Sequence, residues 1–65
     1  GKPREALSHL RHAYALQKDA DIGSHLGEVL WVLGEREEAR KYFEEARKID
    51  PENRSLQRAL QATGA

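Results

Sequence analysis

The chain repeats itself at a fixed interval. Glu5, Ala6, Leu10, Ala13 and Leu16 return 33 residues later as Glu38, Ala39, Phe43, Ala46 and Ile49, with Gly1 echoed by Gly34. After the next link the offset becomes 34, and Asp19, Ile22 and Leu26 reappear as Asn53, Leu56 and Leu60. The extra residue falls between the elements, where Gln17-Lys18-Asp19 is replaced by Asp50-Pro51-Glu52-Asn53. A period of this length fits one helical hairpin, a unit that cannot bury its apolar face alone and must stack on its neighbours.

The spacing within each unit is helical. On a wheel turning about 100° per residue, Ala39, Tyr42, Phe43, Ala46 and Ile49 fall within roughly 120° of one another, and charges take the rest. Four helices are predicted, at about 3–17, 20–33, 36–49 and 54–63, so the fold class is all-α, an antiparallel helix-hairpin repeat. Asp19 and Asn53 are expected N-caps, and Gly34 and Asp50-Pro51 are expected stops. Glu37 with Lys41 and Glu44 with Lys48 stand four apart in the favourable order for ion pairs. Ala6, Ala13, Ala39 and Ala46 read as small residues that let helices approach to about 8–10 Å. Gly23 and Gly27, four apart on the second helix, extend the same logic.

Composition closes off several functions. Eleven basic and eleven acidic side chains cancel, which argues against nucleic acid or an anionic membrane surface as the partner. The longest apolar run, Val29 to Leu33, is far too short to span a bilayer. Without cysteine there is no disulfide framework and no thiolate metal site. Glu5, His9 and His12 share a helix face at metal-ligand spacing, but no fourth ligand accompanies them. His25 reads as a lone surface histidine. Glu37-Glu38 and Glu44-Glu45 are adjacent and diverge on a helix, so they read as solvated charge. There is no phosphate-binding glycine loop and no nucleophile beside a base. The expectation is a non-catalytic chain with no cofactor and no metal.

The residues resemble the tetratricopeptide repeat. Leu26-Gly27, Ala39, Phe43, Ala46 and Pro51 stand where that family has its signature, Leu30 takes the aromatic slot of the first helix, and Gly23 replaces the usual Trp. Lys18 stands where the first repeat would have Pro. The resemblance divides the chain into the second helix of one repeat (1–19), a complete repeat (20–53) and a C-terminal capping helix (54–65). It implies a protein-protein interaction module, a scaffold or adaptor taking a peptide or partner helix on its concave face. On that face it places Asp21, Ser24, His25, Glu28, Trp31 and Val32. The Lys, Asn and Arg that hold acidic chaperone tails in some members are not at these positions. The run from His25 to Asn53 also resembles the last repeats of repeat-containing lipoproteins of Gram-negative bacteria; a lipoprotein parent implies the periplasmic side of a membrane, and without one the compartment stays open, the bacterial cytoplasm included.

The echo also carries a difference. Leu7 and Tyr14 have Arg40 and Arg47 as counterparts, so a face that is apolar in one unit is cationic in the next. Polar outer faces belong to terminal repeats, and Arg54, Gln57, Arg58 and Gln61 give the last helix three polar sides. The expectation is the C-terminal end of a longer array, with the structural end cap that binds nothing, or a metal-dependent helical domain, as rival readings. Leu7, Tyr14 and Gly27 are expected to pack between repeats, and a bared Leu7–Tyr14 stripe to self-associate weakly. Trp31 points about 155° away from the aliphatic stripe of its helix, onto the wettest face, where it either folds sideways onto a neighbouring helix or serves as a binding anchor.

Overall fold

The computed structural model describes residues 2–65. Four helices follow in order: α1 (Pro3–Leu16), α2 (Ala20–Val32), α3 (Arg36–Ile49) and α4 (Arg54–Thr63). Among the described residues there is no strand. Each boundary has a local cause. Pro3 opens α1, where its missing N–H costs nothing. The Asp19 carboxylate accepts from the Asp21 N–H at 2.7 Å, and the Asn53 side chain accepts from the Leu56 N–H at 3.0 Å. Gly34, at φ +87°, ends α2: its N–H donates to the Trp31 carbonyl and the Glu35 N–H to Leu30, the paired closure that a left-handed residue allows. Asp50 is extended ahead of Pro51 and ends α3. Gly1, the counterpart of Gly34, lies outside the described residues.

The helices form two layers, and the thinnest dimension of 19 Å matches two helix diameters. α2 is the centre. It packs against α1, α3 and α4, whereas α1 and α4 do not approach each other. Leu26, Leu30 and Leu56 are fully buried with Ala39, Ala46 and Ala59, and Phe43 fills the space between α2 and α3. Burial of these side chains contributes roughly 1.5–3 kcal/mol for each large one.

The small residues behave unequally. Ala39 and Ala46 are sealed under α2, but their counterpart Ala6 is exposed and Ala13 only half-buried, because no helix among the described residues lies over α1 as α2 lies over α3. Gly27 is a contact within the 20–53 hairpin, not between repeats. A Cβ there would collide with Cε1 of Phe43 and come within 2.6 Å of Cδ1 and 2.8 Å of Cζ. Gly27→Ala should therefore destabilise: overpacking costs about 1–3 kcal/mol, more than the ~1 kcal/mol that Ala gains over Gly in a helix. Adding Phe43→Leu, which copies Leu10, should restore part of the loss in urea titrations.

Leu7 and Tyr14 are core residues. They are 7% and 6% exposed, covered by the following hairpin, so the expected bare stripe and the self-association through it do not hold. The Tyr14 ring lies 3.2 Å from the Cβ position of Gly23 and meets Tyr42 edge-on at 5.5 Å. Its hydroxyl donates to Glu45 Oε1 at 2.7 Å. Arg11 pairs with Glu38 at 2.5 Å and the Asn53 amide donates to Asp21 Oδ1 at 2.9 Å, so three polar contacts join residues 27 to 32 apart. Within α3, Glu44 pairs with Arg47 at 3.3 Å and not with Lys48. Both groups are exposed, and such a pair contributes little.

Burial, and then the bond to Glu45, push the Tyr14 phenol up to about 12. Below the unfolded value of about 10 the phenol is protonated in both states, and its favourable contribution is intact. Between about 10 and about 12 the unfolded chain gives up the proton first, so stability falls as pH rises. Tyr14→Phe should cost about 1 kcal/mol at neutral pH and show a shallower alkaline decline in thermal melts.

Candidate functional site

The six residues expected on the concave face do not share one surface, because α2 is covered on two flanks. Ser24 is fully buried, its hydroxyl donating to the Ala20 carbonyl at 2.7 Å. It is unavailable to a ligand. Trp31 is half-buried against the core, with the Arg36 guanidinium 4.6 Å and the Arg40 guanidinium 5.5 Å from its ring. It folds sideways under α3 and does not project into solvent as an anchor. The burial of Ser24 and the sideways packing of Trp31, the first of the two readings of that residue, have one cause: the flank of α2 opposite its aliphatic stripe is itself covered.

Asp21, His25, Glu28 and Val32 reach the surface. Asp21 sits at the start of α2, where hydrogen bonds from Asn53 and then Ser55 hold its carboxyl below the usual carboxylate range. That favours its charged form, and the contribution fades only as pH falls through the lowered value. Asp21 therefore ties α2 to the N-terminus of α4 through the Asn53 cap.

His25 and Glu28 stand on a ridge between two grooves. The first, of about 590 Å³, runs between α2 and α4 and is completed by Ser55, Arg58, Gln61 and Ala62. The second, of about 330 Å³, runs between α1 and α2 and is completed by Pro3, Leu10, Val29 and Val32. The first is polar, with Glu28 on one wall and Arg58 on the other. Neither takes part in an ion pair among the described residues. The second is aliphatic, and Val32 is 76% exposed in it.

The contributions of α4 and α1 were not singled out from the sequence. For α4 a signal existed: the 34-residue offset carries Asp21, Ser24 and Glu28 onto Ser55, Arg58 and Ala62, all of which line or border the polar groove. For Leu10 the signal was its match to Phe43 at the 33-residue offset. Glu5, His9 and His12 do not converge, and among the described residues no three His, Cys, Asp or Glu side chains form a metal-ligand set. Among these residues no helix is long and apolar enough to cross a membrane.

Helical hairpins repeating at 33 to 34 residues, small residues at the hairpin contact and an open groove between successive first helices define a helical-repeat interaction module. A family model for the tetratricopeptide repeat matches residues 1–63. The chain belongs to the tetratricopeptide repeat family, whose members are in general protein-protein interaction modules. No curated protein and no solved structure gives a match to the chain.

Proposed function

We propose that the protein is a non-catalytic scaffold or adaptor module that holds a peptide or partner helix in the groove between α2 and α4. The observation that carries this reading is the bipolar groove itself, with Glu28 on one wall and Arg58 on the other. Unpaired charges of opposite sign on facing walls favour a segment that offers a Lys or Arg to one and an Asp or Glu to the other. Asp21 and His25 extend the wall on the α2 side.

In this reading residues 20–53 are one complete repeat and 54–65 a closing helix. Arg54, Gln57, Arg58 and Gln61 of α4, with Arg47 of α3, are exposed, which supports a solvent-facing end. The same polar end favours a second reading, a structural cap whose groove binds nothing.

Selection from a library of displayed peptides separates the two. The wild-type chain should enrich segments of mixed charge. Arg58→Glu, an exposed change that should leave the melting temperature within a degree or two, should replace the enriched acidic residue with a basic one. No enrichment by either protein would favour the cap.

A further inference from the structure

We propose that Arg36 and Arg40, gathered over Trp31, form a site for a phosphoryl group on a segment of a partner protein. The three side chains meet where α2 passes into α3. Trp31 is near the end of α2, half-buried against the core, and the two arginines stand in the first two turns of α3. Their guanidinium carbons lie 4.6 Å and 5.5 Å from the centre of the ring. Both arginines are exposed. The ring attracts each cation, so it turns two mobile side chains into a preset pair of donor forks.

The pair lacks a counter-charge. Like charges four apart on a helix repel, and Arg36, the first residue of α3, faces the positive end of the helix dipole. Among the described residues neither arginine is in an ion pair. Glu44, one turn beyond Arg40, pairs with Arg47 at 3.3 Å instead, and Glu37 is in no ion pair. The ring accounts for each arginine singly, whereas an anion shared between them stabilises their convergence. A carboxylate matches one guanidinium fork and one charge. A phosphoryl group carries about two charges near neutral pH and enough oxygens for both forks. Glu35 and Glu37 are exposed beside the pair, so they disfavour a free dianion or an anionic membrane and favour a phosphorylated segment with a basic residue alongside. The surface is a wet one by its own chemistry. Leu7, the counterpart of Arg40, is sealed by the α2–α3 hairpin, and an unpaired guanidinium sealed in that way is costly.

The test uses the whole chain and its single tryptophan, whose emission reports on the ring beneath the two guanidinia. The probes are a pentapeptide with phosphoserine between two lysines, its serine and glutamate forms, inorganic phosphate, and phosphatidylcholine vesicles with and without phosphatidate. The phosphopeptide should change the emission saturably at one peptide per protein, and bind more weakly at high salt. The glutamate form should bind about ten-fold more weakly or worse, and the serine form weaker still. Arg36→Lys and Arg40→Lys keep the charge and lose the fork. Each should weaken phosphopeptide binding by about ten-fold with the helical circular dichroism unchanged. No saturable change, equal binding of the glutamate form, or binding indifferent to both lysine variants overturns the proposal. Inorganic phosphate bound as tightly as the phosphopeptide would make this a free-anion site, and a preference for phosphatidate vesicles would make it a lipid site; either overturns it. Loss on Arg58→Glu would put the peptide in the α2–α4 groove and also overturns it.

Discussion

The double substitution Leu7→Arg, Tyr14→Arg is expected to abolish the folded state. Both side chains are almost wholly buried, at 7% and 6% exposure, and a guanidinium placed there has no carboxylate arranged to receive it at Leu7. An unpaired buried charge costs several kcal/mol. Tyr14→Arg also removes the edge-on contact with Tyr42 and the hydroxyl that Glu45 accepts from. A chain of this size has roughly 3–10 kcal/mol of stability in all. Far-ultraviolet circular dichroism should show the helical signal lost at room temperature. A folded, helical double variant would place Leu7 and Tyr14 at the periphery and contradict the packing of α1.

Trp31→Ala is expected to lower stability by about 2–3 kcal/mol, somewhat under the usual range for a fully buried Trp because the ring is partly exposed. Part of the loss is apolar packing against the core. The rest is the contact with Arg36 and Arg40, about 0.5–1 kcal/mol for each cation over an exposed ring. Urea titration measures the loss, and peptide selection by the α2–α4 groove should be the same before and after. A variant that melts like the wild type but selects different peptides would return Trp31 to the role of an anchor.

The helices were legible in the sequence and the surfaces were not, and the difference is one of range. The Asp19 and Asn53 caps, the left-handed Gly34 and the Asp50-Pro51 stop act over three or four residues, so their signals sit in contiguous sequence. The close approach at Gly27 was legible because a glycine inside a helix asks for a compensating contact, and Phe43 supplies it. The fate of Ser24 and Trp31 depends on which helices flank α2, and a wheel drawn for one helix has no second flank. Ser24 carries a hydroxyl that satisfies itself on the Ala20 carbonyl, so its polarity gave no warning that it is buried. Trp31 carries so much apolar surface that its wheel position could not decide its environment. The repeat held the missing information: the α2–α3 hairpin covers Leu7 and Tyr14, while Arg47 stays exposed and Arg40 covers Trp31.

His25 and Glu28 form a single ridge that serves as a wall to both grooves. Glu28 has one carboxylate to offer. A cationic segment held in the α2–α4 groove, as proposed, would share that unit of negative charge with any cation brought against the other side of the ridge, although the two would never touch. Whatever factor one takes from the affinity of the other is taken back in equal measure when the order is reversed. Glu28→Gln should weaken the segment's binding and remove this coupling together.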